Sequence, residues 1–348
     1  MIFAQLQACR AAARQLSVLL VLGAAAMTTI SLAACSGFSS APGSRLTGSG
    51  LAGGSPQSIL NVRFPNAESP AASSAYVLFC SYPGNDCGVI SSSGSQVSTL
   101  TSGISGPDGI AVGASSGDWY IANVNDSNVL VYTLSAKGQP TLIKTIDDAG
   151  QQPIDVAVSE RGTKTIKATV AISNLDTTGG TDPSVAVVEA SGKTKTLRDK
   201  AAANGAGIGI AFDSQGDCFW SLDETHSANA GRIDEFKKCS GKPTPVVEGI
   251  DYPGGVAFDG GDNLWYVQQA NPGVYKCSGT SNCALAFSGF AAPFYLSFDK
   301  TFANLYVSDV SNLTIDKCAV SGTTCTTFFT TGSGDPPYGV AVLPQGKS

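Results

Sequence analysis

The stretch Pro253-Gly-Gly-Val-Ala-Phe-Asp-Gly-Gly-Asp-Asn-Leu-Trp-Tyr-Val267 carries the pattern on which the fold turns. A proline opens it, and Gly255-Val-Ala-Phe258 reads as a short buried strand. A Gly-Gly-Asp turn follows, then a second strand at Leu264-Trp-Tyr-Val267. The first strand returns as Gly109-Ile-Ala-Val112, Asp155-Val-Ala-Val158, Gly209-Ile-Ala-Phe212, Tyr295-Leu-Ser-Phe298 and Gly339-Val-Ala-Val342. Its copies are spaced 40 to 54 residues apart. A period near that length, with several short strands in each unit, marks a propeller blade of four strands. The third position is always Ala or Ser, which suits an innermost strand, where converging blades leave little room near the axis.

Working outward, a second strand follows at Trp119–Ala122, Val170–Ser173, Phe219–Leu222, Leu264–Val267 and Leu305–Ser308. Third strands are visible at Val129–Tyr132, Arg232–Phe236 and Val274–Tyr275, and fainter fourth strands at Thr141–Lys144 and Ala284–Phe287. The tryptophans fall on second strands, where packing between blades explains them. The last unit stops after its first strand, at Val342. The missing strands stand at the other end of the domain, at Ala75–Phe79, Gly88–Ile90 and Gln96–Leu100. The expected fold is therefore all-β, a six-bladed propeller in which one C-terminal strand completes a blade of three N-terminal strands. Such closure leaves no open sheet edge at the seam.

The repeat, Gly-Val-Ala-Phe-Asp, a Gly-Asp turn and Leu-Trp-Tyr-Val, resembles NHL-type six-bladed propellers over residues 75–342. WD and kelch signatures are absent. The resemblance implies a fold and leaves activity open.

The N-terminus carries Arg10 and Arg14, then an apolar run from Leu16 to Ile30, then Leu32-Ala-Ala-Cys35. A basic start, an apolar core and small residues before a cut describe a secretory signal, and a cysteine at that point resembles the bacterial lipobox. Residues 1–34 then form the signal peptide, and the resemblance implies that Cys35 carries the lipid. Acyl chains contribute roughly 0.8 kcal/mol per buried CH₂, and two or more hold stably. Residues 35–58, rich in Gly, Ser and Pro, read as a flexible tether. Residues 59–74 are a lead-in of no evident type, and residues 75–348 are the propeller. Ser36 resembles outer-membrane sorting, so the expected location is the extracytoplasmic side of a bacterial envelope.

Ten cysteines are present. Cys9 leaves with the signal and Cys35 takes lipid, so Cys80, Cys87, Cys218, Cys239, Cys277, Cys283, Cys318 and Cys325 remain. An even number in an exported chain implies disulfides. The strand map places Cys277/Cys283 and Cys318/Cys325 across third-to-fourth turns and Cys80/Cys87 across a second-to-third turn. Cys218 opens a second strand and meets Cys239, just past the antiparallel third. These spacings and a single histidine do not suit zinc.

Charged residues are 14% of the chain, and the net charge is −6. Losing residues 1–34 removes two arginines and no carboxylate, which makes the remainder more acidic. That excludes the basic footprint of a nucleic-acid binder and leaves membrane attachment to the lipid alone.

Three enzyme readings fail on the residues. Pro107-Asp108-Gly109 resembles a metal ligand of gluconolactonase-type propellers, but the matching positions elsewhere are Ile154, Ile208, Gly254, Phe294 and Tyr338. One carboxylate does not make a metal site. A streptogramin-lyase-like set needs two histidines, and only His226 exists, in Asp223-Glu-Thr-His-Ser. No Gly-x-Ser-x-Gly elbow is present. One polar feature does run around the ring: Asn123, Asn174, Asp223, Gln268 and Asp309 follow the second strands. Either they fold back on backbone amides or, with Asp108 and His226, they line a ligand site. Tyr252, Phe294, Tyr295 and Tyr338, near the inner-strand starts, would add aromatic surface. The reading is a non-catalytic binding or scaffolding module for a small molecule, glycan, peptide or protein. A hydrolase or lactonase with its site at the channel mouth is the alternative. No cofactor or metal is implied, and a monomer is expected.

If Cys35 is the lipidated residue, Cys35→Ala abolishes incorporation of labelled fatty acid and leaves an uncleaved, heavier precursor. Unchanged mass and membrane partitioning in that variant would contradict the assignment.

Overall fold

The computed structural model describes residues 76–113, 116–148, 151–159, 168–177, 183–199, 205–223 and 229–343. Cys35 and His226 lie outside the described residues. Six sheets of four antiparallel strands make up the fold, and the inner strands touch one another in a closed cycle.

Blade 1 is the composite. Its inner strand is Val340–Leu343, followed outward by Tyr76–Ser81, Asp86–Ser91 and Gln96–Leu100. Val340, Ala341 and Val342 pair with Phe79, Leu78 and Val77, so the seam is an ordinary antiparallel ladder. Blades 2 to 6 each run from inside outward along the chain. Their inner strands are Pro107–Val112, Gln151–Val158, Ala206–Phe212, Pro253–Phe258 and Pro293–Phe298. Asn123, Asp223, Gln268 and Asp309 close their second strands, whereas Asn174 falls inside its strand, Ala168–Thr177.

One packing rule repeats around the ring. The alanine in the third position of one inner strand faces the branched residue in the second position of the next. Ala341 shares a core cluster with Ile110, Ala111 with Val156, Ala157 with Ile210, Ala211 with Val256, and Ala257 with Leu296. The small residue thus serves the contact between blades as well as the space near the axis, where the same alanines line the channel cavity. Trp119, Trp220 and Trp265 are fully buried in three of these clusters. The Trp220 indole N–H donates to Ser173 Oγ of blade 3 at 2.8 Å.

Four disulfides join Cys80–Cys87, Cys218–Cys239, Cys277–Cys283 and Cys318–Cys325, each within one blade. In the chain-entropy picture a small loop of this kind stabilises by roughly 2–3 kcal/mol. Four bridges place the folded chain in an oxidising, extracytoplasmic compartment.

Ending the chain after Gly332 removes Tyr338, Val340 and Val342, which are 4%, 2% and 8% exposed. Each such side chain contributes about 1.5–3 kcal/mol when buried, against a typical total of about 5–15 kcal/mol. That truncation should melt far lower or aggregate through the bared edge of Tyr76–Ser81. Ending the chain after Leu343 should leave the melting temperature within a degree or two. Thermal melts of the two truncations decide whether the C-terminal strand holds the ring shut.

Candidate functional site

The inner strands do not run straight through the channel. In blade 2, Pro107 pairs with Asn123 and Ile110 with Ile121, so Asp108 and Gly109 form a bulge. The same slip recurs at Gly254–Gly255 and Phe294–Tyr295, and blades 3 and 4 slip in the matching stretch. A bulge leaves backbone groups unpaired and re-aims side chains. Serines on the second strands take up the freed amides. Gly209 N–H donates to Ser221 Oγ at 2.7 Å, and Tyr295 N–H to Ser308 Oγ at 3.0 Å. Each hydroxyl then donates to the next blade, to the Gly254 carbonyl at 2.6 Å and the Tyr338 carbonyl at 2.7 Å.

At the second bulge position the ring reads Gly339, Gly109, Asp155, Gly209, Gly255 and Tyr295, from blade 1 to blade 6. The glycines are a matter of space. A Cβ on Gly109 would strike the Asp155 carboxylate, one on Gly255 the Tyr295 ring, and one on Gly339 the Asp108 carbonyl. The two exceptions stand in blades 3 and 6, opposite each other. Tyr295 reaches across the axis, and its hydroxyl donates to the Ile154 carbonyl at 3.0 Å. Asp155 Oδ2 accepts from the Ile210 amide at 2.9 Å. The channel is thereby barred at its waist.

Burial dominates the electrostatics there. Burial, with the nearby Asp155 carboxyl, pushes Asp108 well above the usual carboxylate range, and Asp108 Oδ1 has no hydrogen-bond partner. Asp155 is raised by burial against opposing hydrogen bonds from the Ile210 and Val156 amides. The Tyr295 hydroxyl is raised by burial and by Asp108 and Asp155.

The waist separates two mouths. At the mouth where the inner strands begin, Phe294 sits edge-on to Tyr295 and Tyr338, with ring centroids 4.9 and 5.0 Å away. Tyr82 flanks Tyr338 at 6.3 Å. Tyr252, just before the blade 5 inner strand, is exposed at a φ of 56°. The polar residues at or near the ends of the second strands are buried, and Asn123 and Asp309 face the loops. Asp309 accepts from the Ala291 and Ala292 amides at 2.7 and 2.9 Å, and from Asn312 Nδ2 at 2.8 Å. Asn123 accepts from the Ser105 amide and donates to Asp126 and Asn128. Asn174 donates to Ser184 Oγ at 3.4 Å. Asp223 and Gln268 are 4% and 8% exposed. The structure thus brings Asp108, Phe294, Tyr295 and Tyr338 together and gives Asn123, Asn174 and Asp309 loop-stitching partners.

At the other mouth, where the inner strands end, lies a cavity of about 410 Å³. Its floor includes Tyr295 and Asp155. Its rim is Val342, Val112 and Val158 on one half and Phe212, Phe258 and Phe298 on the other. Ser297, Asp299, Lys300 and Phe302 add to the blade 6 side. Among the described sequence candidates only Tyr295 lines this cavity. Asp155 and the rim were missed, although two signals were readable: the break in the glycine series at 155 and 295, and the change from Val to Phe halfway round the repeat. Among the described residues no group of three or more His, Cys, Asp or Glu side chains is placed to hold a metal ion.

No family model matches the chain, and no curated protein matches it. Solved structures do. A chain of the nidogen/laminin complex superposes with a TM-score of 0.60 at 16% identity, covering 77% of this chain and 98% of that one. A functionally unknown protein from Desulfotomaculum acetoxidans gives 0.52 at 11% identity, covering 78% and 99%. The calcium-binding regucalcin of Agrobacterium tumefaciens gives 0.48 at 13%, covering 65% and 74%. At these identities the likeness is one of fold: the chain is a six-bladed β-propeller.

Asp148 provides a pH handle. Burial, with some help from Asp147, pushes its carboxyl up to about 7, against a hydrogen bond from Asn174. A folded-state pKa above the unfolded one means that the native protein holds the proton more tightly. Stability is then full below about pH 4 and falls as pH rises to about 7, by on the order of a few kcal/mol. Asp108 and Asp155 act in the same sense. Asp259 opposes this trend only at low pH: burial raises it, but hydrogen bonds from Trp265, Asn263 and Gly261 hold it at about 2. Melting temperature should therefore peak in mildly acid buffer and drop by several degrees by pH 8. Asp148→Asn should raise it at pH 8 by roughly 5 °C and flatten the profile, which melts across pH 4–8 would test.

Proposed function

We propose that this protein is an exported propeller, held to the bacterial envelope by lipid on Cys35, that binds a small and largely apolar ligand. The ligand enters the cavity at the mouth where the inner strands end. The observation that carries the reading is a chamber with six apolar rim residues and a floor closed by Tyr295. A chamber of about 410 Å³ lies in the size range of small-molecule sites, roughly 300–1,000 Å³. The NHL-type repeat fits this use, since it builds a rigid ring and leaves the mouths to vary. The lipid on Cys35 and residues 35–58 would hold the propeller at the membrane surface, while the acidic chain itself avoids anionic lipid.

Titration with 1-adamantanol, followed by calorimetry, tests the site. The full mature chain should bind it. Val112→Arg, at the half-buried rim, should weaken binding about tenfold or more, equal to about 1.4 kcal/mol, and lower the melting temperature somewhat, since Val112 also packs on the core shared by blades 1 and 2. Tyr252→Ala, at the opposite mouth, should leave the affinity unchanged. Loss of binding in Tyr252→Ala together with retention in Val112→Arg would move the site to the other mouth.

A further inference from the structure

The cavity rim carries a residue that its backbone does not favour. Blades 4, 5 and 6 join first and second strands through one kind of turn, opened by Asp213, Asp259 and Asp299. Each aspartate Oδ1 accepts two backbone amides: Gln215 and Asp217, Gly261 and Asn263, Thr301 and Ala303, all between 2.8 and 3.1 Å. The fourth residue of each turn sits in the left-handed region, with φ of 83° at Gly216, 57° at Asp262 and 56° at Phe302. Glycine and Asp tolerate that region, whereas a bulky aromatic there is strained.

Nothing in the turn needs an aromatic ring, since blades 4 and 5 close the same turn without one. Phe302 is also 40% exposed, so core packing does not explain it. It lines the cavity, and its ring lies 5.7 Å from that of Phe298. The neighbouring blade makes room for it at Gly260, where a Cβ would come 2.9 Å from the Phe302 ring. Phe212, Phe258 and Phe298 line the same cavity on blades 4 to 6, across from the valines of blades 1 to 3, each half-buried and packed on its blade core, Phe258 edge-on to Phe219 and Phe298 edge-on to Trp265. Strain held at an exposed position, beside a chamber, points to use by a ligand.

We infer that the cavity takes a flat, uncharged aromatic ring, gripped between the Phe212–Phe258–Phe298 arc and Phe302. The inference rests on the binding reading above and specifies its ligand class. Aromatic pairs in offset or edge contact add about 0.5–1.5 kcal/mol beyond burial, so a ring gains at this wall what a saturated cage of equal girth does not.

2-Naphthol fluorescence, with 1-adamantanol as the saturated comparison of equal heavy-atom count, decides the matter on the full mature chain. The aromatic probe should bind the native protein about tenfold more tightly than the cage. Phe302→Gly relieves the left-handed strain, so it should melt at the native temperature or above while losing about tenfold in affinity for the probe. Phe302→Leu keeps an apolar side chain without a ring and should lose affinity for the probe but not for the cage. Leu142→Ser, on an exposed outer strand, should change neither. Equal binding of probe and cage by the native protein would overturn the aromatic assignment and leave the cavity reading standing. Phe302→Gly that binds the probe like the native protein would overturn the role of Phe302. Failure of both molecules to bind the native protein would bring down the cavity reading and this inference together.

Discussion

Steric closure at the channel waist is the constraint on which the rest depends. Six inner strands, five of them bulged, converge so tightly that glycine stands at four of the six matching positions, and one tyrosine fills what space is left. The bulges free backbone amides, the second-strand serines at 221 and 308 recover two of them, and their hydroxyls reach the next blade. Polar satisfaction at the axis and registration between blades are thus one network. The alanine-to-branched contacts farther out carry the same register into the apolar core. A larger residue at either level would force blades apart, which explains why Gly-x-Ala recurs in four of the six inner strands, at 109, 209, 255 and 339.

The same closure gives the molecule two unlike mouths. One is filled by Phe294, Tyr338 and the buried Asp108, packed above the waist. The other opens into a chamber because the residues past the waist diverge and end in short turns. Chemistry at the axis is correspondingly muffled: the carboxyls of Asp108 and Asp155 favour their protonated forms, and the tyrosine that bars the channel favours its neutral one.

Blade count, the composite closure and all four disulfide pairs were readable from the sequence, because each follows from period and strand order. The repeat of Gly-Val-Ala-Phe fixes the inner strand, and cysteines at turn positions can then meet only their hairpin partners. The proposed binding mouth is not readable in the same way. Asn123 and Asp309 look like ligand residues because they recur, and in blades 2 and 6 they also hold the loop before the inner strand. Tyr295 was picked out for its position, but its reach across the axis to Ile154 depends on a bulge, and a bulge is a slip in pairing with no residue signature of its own. The cavity rim was hidden by ordinariness. Val and Phe at the end of a buried strand look like core until the ring closes and leaves that end open.

The strand Tyr76–Ser81, by which the domain begins, also bears on how the protein would carry load. It lies between two partners, the C-terminal strand Val340–Leu343 and the strand Asp86–Ser91. Tension arriving from the N-terminal side would run along its length, so the hydrogen bonds on both flanks would be sheared together rather than peeled in turn. Cys80–Cys87 then ties its far end to the next strand. A domain pulled from its N-terminal side would meet that pull at a doubly flanked, stapled strand, and the C-terminal strand would take its share of the force through the ladder it forms with that strand.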